Sequence, residues 1–131
     1  MFSHVFVGTD DLNKARYFYD TVMPILGYGK CEYDNIKKRL LYISIDGVFG
    51  VTLPIDGKSA SVGNGMTIGF KAKKTEDVDE WYSHGISSGG QACEDPPGIR
   101  IGAKGMRMYL AYLRDPSGNK ICATCFNVPQ K

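Results

Sequence analysis

Two side chains near opposite ends of the chain, those of His4 and Cys122, are the clearest candidates for metal binding or nucleophilic chemistry. His4 lies in an alternating stretch that predicts a strand from Phe2 to Thr9, and the alternation places it on the same face as Phe6. Cys122 opens a Cys-Ala-Thr-Cys motif, which in redox proteins stands at the start of a helix. Here the motif falls on a predicted strand, where a separation of three directs Cys122 and Cys125 to opposite faces. The pattern therefore argues against a redox pair.

The composition narrows the classes of partner. The chain has 131 residues, a length typical of a single domain. Sixteen basic residues oppose fourteen acidic ones, and no run of like charge exceeds Lys37-Lys38-Arg39, so we expect no nucleic acid or anionic membrane partner. No apolar run approaches the length of a membrane-spanning helix, and no charged-then-apolar leader opens the chain. We therefore expect a cytoplasmic protein in which all four cysteines are free thiols.

Hydrophobic periodicity divides the chain into a strand, a helix and three strands, and then repeats that order. The first half has predicted strands over 2–9, 29–33, 39–46 and 48–53, with a helix over 12–26. The second half has predicted strands over 65–72, 91–94, 106–113 and 120–126, a helix over 75–86, and a loop from 96 to about 104. We expect one domain over 1–131, with unit one over about 1–55, a linker over about 56–63 and unit two over about 64–128.

The closing hairpin has a turn in which each residue has a physical role. Asp115-Pro116-Ser117-Gly118 places Asp first, Pro second and Gly fourth, which is the signature of a type I turn. The strand before the turn alternates between two faces. One face carries Met106, Met108, Leu110 and Tyr112, and the other carries Arg107, Tyr109, Ala111 and Leu113. The alternation does not say which face lines a cavity, so both tyrosines remain candidate ligand-binding residues.

Three segments carry a resemblance to a known superfamily. They are YLAYLRDPSGNKICATCF at 109–126, SHVFVGTDDLNKARYFYDTVMPILGY at 3–28 and GNGMTIGFKA at 63–72. Together they resemble the closing hairpin, the opening strand and helix, and the first strand of the second half in the glyoxalase/bleomycin-resistance/extradiol-dioxygenase superfamily. The resemblance implies an α+β fold of two βαβββ units, whose paired, curved mixed sheets surround a cavity. This fold carries many activities, so the resemblance is specific for fold rather than function.

The resemblance also implies where a divalent metal would bind, on the first and last strands of each unit. His4 matches the first-strand ligand, but Thr67 stands where a histidine is often found, and Cys122 stands where a glutamate is usual. The last strand of unit one offers only Val51 or Thr52. A catalytic metal site needs about three protein ligands. We therefore expect no metal and no other cofactor, with His4 and Cys122 as the only candidate ligands.

Three functions remain open at this point. The first is a binding protein that holds or sequesters a small aromatic or polar molecule. The second is a metal-dependent lyase, isomerase, dioxygenase or thiol transferase that uses an unrecognised third ligand. The third is a structural or regulatory dimer domain. The candidate ligand-binding residues are His4, Phe6, Thr67, Tyr109, Tyr112, Cys122 and Phe126. We favour the first function, in a homodimer, since the resemblance implies that two chains often complete the cavity.

Overall fold

The structure of the chain is a computed structural model that describes residues 1–130. Its elements follow the duplicated order that the sequence predicts. The first unit contains β1 (His4–Gly8), α1 (Leu12–Ile25), β2 (Glu32–Asp34), β3 (Arg39–Ser44) and β4 (Gly47–Thr52). The second contains β5 (Ile68–Lys71), α2 (Thr75–Ser87), β6 (Gln91–Ile101), β7 (Arg107–Arg114) and β8 (Lys120–Cys125), with a short 3-10 turn at Ala103–Gly105.

Local chemistry fixes the ends of α1. The Asp11 side chain accepts a hydrogen bond from the Lys14 amide at 3.0 Å and so caps the first turn. Pro24 lies inside the last turn, where it cannot donate a backbone hydrogen bond to the carbonyl of Asp20, and the helix ends one residue later. Gly27, at a φ of +91°, then reverses the chain. Neither helix in residues 1–130 combines the length and the apolarity needed to cross a membrane.

The eight strands form two four-stranded mixed sheets, which confirms the predicted α+β class. The strand orders are β1-β4-β3-β2 and β5-β8-β7-β6. In each sheet the first strand of the unit pairs in parallel with the last, and the other neighbours are antiparallel. The same order in both sheets is the structural counterpart of the repeated sequence pattern.

Both sheets turn one face towards a single core that also holds the buried sides of α1 and α2. Gly85 of α2 lies at the centre of this packing, since a Cβ there would collide with Leu113 of β7 and would stand 3.5 Å from both Phe18 and Val22 of α1. The opposite face of each sheet is turned away from the core. The first outer face carries His4, Phe6, Arg39, Leu41, Ile43, Val48 and Gly50. The second outer face carries Gly69, Met108, Leu110, Tyr112, Lys120, Cys122 and Thr124.

The turn between β7 and β8 joins the two units. The buried carboxylate of Asp115 accepts a hydrogen bond from the Tyr19 hydroxyl of α1 at 2.7 Å. The Asn119 side-chain amide donates to the carbonyl of Gly8 in β1 at 2.9 Å and also to Asp115. Burial, followed by the nearby Asp115 carboxylate, raises the pKa of Tyr19 well above its usual value, so this hydroxyl remains a donor. The turn that the sequence predicts is therefore also a joint between units.

The strand predicted over 91–94 is wrong in extent, because β6 continues to Ile101. The predicted loop includes Pro96 and Pro97, which lack backbone donors and were expected to end the strand. Pairing with β7 shifts register between Cys93 and Gly98, so the prolines fall within a bulge. An edge strand tolerates such a bulge, since only one of its sides is paired.

Candidate functional site

The first outer face carries an aromatic ring layered between a glycine and a guanidinium group. A Cβ on Gly50 would collide with the Phe6 ring, so the ring lies over β4 only because this position is glycine. The guanidinium carbon of Arg39 stands 5.2 Å from the Phe6 ring centroid, and Nε of Arg39 donates to Asp34 at 3.3 Å. The His4 ring packs edge-on against Phe6, with centroids 5.8 Å apart. The first outer face therefore presents the Arg39 guanidinium, which packs on the Phe6 ring and is held by its hydrogen bond to Asp34.

The second outer face has the same kinds of group in another arrangement. The ammonium of Lys120 stands 4.7 Å from the centroid of the Tyr112 ring and forms an ion pair with Glu94. The hydrogen bond to Glu94 raises the pKa of Lys120, so this ammonium remains charged. Beside the ring lie Cys122, which is in register with Tyr112, and Leu110; both are 3% exposed. An aromatic ring and an apolar floor thus lie next to a paired cation.

The thiol of Cys122 is a buried apolar group rather than a thiolate. Its sulfur stands 3.1 Å from the hydroxyl of Thr124, and burial raises the pKa of the thiol. A metal ligand or a nucleophile would require the deprotonated form. Cys125 faces the shared core, as the predicted alternation requires, so the two sulfurs lie on opposite sides of β8.

The residues of one chain do not fit the divalent metal that the fold implies. Nδ1 of His4 lies 2.8 Å from the hydroxyl of Ser3, and within residues 1–130 no three His, Cys, Asp or Glu side chains stand close enough to hold an ion. Thr67 lies just before β5, and it is Gly69 rather than Thr67 that is in register with Cys122. A neutral thiol, a threonine and one imidazole are a poor donor set for zinc, nickel or iron.

Two of the sequence-predicted site residues lie away from the outer faces. Tyr109 is on the core-facing side of β7, and its hydroxyl donates to Asp79 of α2 at 2.6 Å, a hydrogen bond that raises the pKa of Tyr109 to about 12. Phe126 follows β8 and is half exposed beside Leu26, in a depression between the units. The structure brings His4 together with Phe6 on one face, and Tyr112 together with Cys122 on the other.

Sequence reasoning missed the charged partners of both rings. Lys120 could have been found, because it alternates with Cys122 along a short strand and therefore shares its face. Arg39 and Asp34 lie on separate strands, and only the turn between β2 and β3 brings them together. Glu94 lies at the start of the unpredicted bulge and has a φ of +60°, so alternation could not have placed it.

Comparison with known proteins identifies the family. No family model and no curated protein matches the chain, but solved structures do. The crystal structure of a glyoxalase/bleomycin resistance protein from Albidiferax ferrireducens T118 is 50% identical, covers 95% of this chain and 98% of its own, and superposes with a TM-score of 0.91. This chain therefore belongs to the glyoxalase/bleomycin resistance/dioxygenase family.

Two more distant structures share the fold alone. A glyoxalase-related enzyme from Fulvimarina pelagi is 17% identical, with a TM-score of 0.69 over 95% of this chain and 87% of its own. A lactoylglutathione lyase from Agrobacterium tumefaciens is 20% identical, with a TM-score of 0.62 over 95% of this chain and 92% of its own. These two structures confirm the paired βαβββ architecture. Their identities to this chain are too low for site residues to be transferred from them.

Proposed function

We propose that the protein binds or sequesters a small aromatic molecule with an anionic group, held against its outer faces. One observation carries the proposal: each outer face presents an aromatic ring with a cation over it and a carboxylate that fixes the cation. A planar ligand can pack against the edge of the Phe6 or Tyr112 ring, while its anionic group contacts Arg39 or Lys120. The name of the similar protein from Albidiferax ferrireducens, which includes bleomycin resistance, supports a binding role.

The terminal nitrogens of Arg39 are the strongest anchor in this arrangement. Its Nε donates to Asp34, and its two terminal amino groups have no hydrogen-bond partner within residues 1–130, so both remain available to a ligand. A guanidinium held in this way matches the two oxygens of a carboxylate. On the second face, Leu110 and Cys122 are buried, so a flat ligand would contact the Tyr112 ring beside them rather than these two residues.

The proposal requires that two chains enclose the ligand. Each outer face is turned away from the core that its own chain forms, so one chain alone leaves both faces open. We propose a homodimer in which the outer face of one chain faces that of its partner. Sedimentation at micromolar concentration should give twice the chain mass of 14.4 kDa, and a monomeric mass would contradict this part of the proposal.

We also propose that the function requires no bound metal. Because no three His, Cys, Asp or Glu side chains within residues 1–130 stand close enough to hold an ion, a chain should not retain a metal through purification. Metal analysis should find zinc, nickel and iron well below one per chain, and chelation should leave the melting temperature unchanged. Stoichiometric metal would instead favour the metal-dependent enzyme.

The direct test compares two ligands with the same ring system and a substituent of similar size, of which only one is charged. Isothermal titration calorimetry should show that naphthalene-2-carboxylate binds about tenfold more tightly than naphthalene-2-methanol, because only the former meets the cations. The double variant Arg39→Gln/Lys120→Gln should remove that preference, whereas Lys14→Gln/Lys58→Gln, which removes two charges elsewhere on the surface, should preserve it. Equal affinity of the two ligands for the natural chain, or no binding of either, would contradict the proposal.

A further inference from the structure

A cavity lies between the two units. It has a volume of about 360 Å³, and its walls combine core-facing residues of β3, β4 and β5 with His4, Val48 and Gly69 from the margins of the two outer faces. Its aromatic walls are formed by Phe2, Tyr28, Tyr42, Phe49 and Phe70. A volume of this size lies within the range of sites for small organic molecules.

The cavity floor is formed by aromatic rings in mutual contact. The rings of Phe49 and Phe70, one from each unit, meet edge to face with centroids 4.9 Å apart. Tyr42 extends this aromatic surface, with its ring centroid 6.2 Å from that of Phe49, and its hydroxyl is engaged by Asp20 at 2.9 Å. Because that hydroxyl already has its partner, Tyr42 offers the cavity a ring rather than a polar group. The floor thus suits a flat aromatic group, which gains from offset or edge contacts.

Asp46 and Lys71 bring opposite charges to the cavity, which is also lined by Met1, the residue that carries the N-terminal ammonium. Asp46 and Lys71 line both this cavity and an adjoining depression of about 650 Å³, so they stand where the two meet. Neither side chain forms an ion pair within residues 1–130. Tyr28 lies beside them, with its hydroxyl 3.4 Å from the carbonyl of Lys71, and its pKa is raised by burial and then by the charge of Asp46.

The turn that carries Asp46 is held in place by its neighbours. The hydroxyl of Ser44 accepts from the Asp46 amide at 3.1 Å and donates to the carbonyl of Gly47 at 3.2 Å. Gly47 has a φ of +143°, and a Cβ there would come within 3.0 Å of the Ser3 carbonyl oxygen. The turn that contains Asp46 and Gly47 therefore packs directly on the backbone of Phe2 and Ser3. Asp46 thus lies close to Phe2, which forms one aromatic wall of the cavity.

We propose that this inter-unit cavity is a second ligand site, for a small aromatic molecule that carries both an ammonium and a carboxylate group. The aromatic group would occupy the cavity between Phe49, Phe70 and Phe2. The ammonium would contact Asp46 and the carboxylate would contact Lys71 at the mouth. A ligand with a positive charge alone would be repelled by Lys71, and one with a negative charge alone by Asp46, whereas a zwitterion satisfies both groups.

The test uses L-phenylalanine and two analogues that each lack one charged group. By calorimetry with the full chain, L-phenylalanine should bind about tenfold more tightly than 2-phenylethylamine or 3-phenylpropionate, since each analogue leaves one mouth charge without a partner. Asp46→Asn should weaken L-phenylalanine about tenfold while improving 3-phenylpropionate, and Lys71→Gln should weaken L-phenylalanine while improving 2-phenylethylamine. Phe2→Ala should weaken all three ligands.

Matched variants serve as controls. Glu80→Gln and Lys14→Gln make the same chemical changes on exposed helix positions and should leave all three affinities unchanged. Melting curves establish that each variant is folded. No detectable binding of L-phenylalanine, affinities that do not distinguish the three ligands, or unchanged affinity in both Asp46→Asn and Lys71→Gln would each overturn the proposal.

Discussion

On the first outer face the ring comes from β1 and the cation from β3, whereas on the second the ring comes from β7 and the cation from β8. Only the carboxylate has the same origin in both units, since Asp34 and Glu94 belong to the second strand of each. The support beneath the rings differs as well: Phe6 lies over a glycine, while Tyr112 stands beside Cys122. The units share strand order but not the positions of their site residues. Site residues therefore cannot be transferred from one unit to the other by aligning the halves.

The largest expected effect comes from adding metal ligands to the second outer face. Gly69 and Cys122 are in register on neighbouring parallel strands, and a Cβ on Gly69 would meet nothing within 4 Å. Gly69→His/Cys122→Glu should therefore place an imidazole and a carboxylate side by side and raise Ni²⁺ affinity by about two orders of magnitude over the natural chain. Nickel uptake at equilibrium measures this effect.

Two further variants sharpen that test. Thr67→His/Cys122→Glu uses the position that the family resemblance suggests, which is two residues out of register with Cys122, and it should bind Ni²⁺ more weakly. Adding His4→Ala to the Gly69→His/Cys122→Glu variant tests whether His4, which lines the same cavity as Gly69, supplies a third ligand. Reduced uptake would support a three-ligand site, and unchanged uptake would contradict it. Equal uptake by the two double variants would show that the register argument is wrong.

The same substitution on the two faces should have different effects on stability. Gly50→Ala forces the Phe6 ring and the Arg39 guanidinium out of their positions, and we expect a loss of about 1–3 kcal/mol in the free energy of unfolding. Gly69→Ala meets no atom and restricts the unfolded chain, so it should be neutral or stabilising. Urea denaturation of both variants measures the difference. Similar losses in the free energy of unfolding would show that the close approach of the Phe6 ring to Gly50 does not matter for stability.

Single charge substitutions should rank the two cations. Arg39→Gln should weaken naphthalene-2-carboxylate about tenfold, because a stacked guanidinium offers two parallel donors. Lys120→Gln should weaken it only about threefold, since the ammonium is a single point charge that already pairs with Glu94. Calorimetry measures both affinities. The reverse order would make the second outer face the main anchor of the ligand.

The smallest effect separates the two faces of β7. Tyr109→Phe removes the hydrogen bond to Asp79 and should lower the free energy of unfolding by about 1 kcal/mol, whereas Tyr112→Phe should change it little. The pKa of Tyr109 is raised to about 12 from its usual 10. The contribution is therefore fully present below pH 10 and is lost as pH rises through 12. Chemical denaturation at pH 8 and at high pH would show it, and a pH-independent difference would contradict the assignment.

The fold could be predicted from sequence because its signals are local. Alternation, helical periodicity and turn residues identify each element, and the type I turn at 115–118 has a reason for every residue. The error at β6 has a physical reason too. Prolines end a central strand, but the sequence does not reveal that Pro96 and Pro97 lie in a bulge of an edge strand.

The site was less predictable because its key contacts join distant strands. His4 and Phe6 share a strand, so alternation paired them correctly on one face. The contacts of Arg39 with Phe6 and of Glu94 with Lys120 depend on register between strands, which a single sequence does not specify. The choice between Tyr109 and Tyr112 needed the position of α2, because the hydrogen bond to Asp79 places Tyr109 on the helix side.

The joint at the turn between β7 and β8 has a consequence for how the chain acquires its structure. Tyr19 and Gly8 find their partners in Asp115 and Asn119, at sequence separations of 96 and 111 residues. During synthesis, β1 and α1 therefore emerge long before the residues that complete their hydrogen bonds. A ribosome-bound fragment ending near residue 60 should remain without stable tertiary structure, and the two units should fold in a single late step.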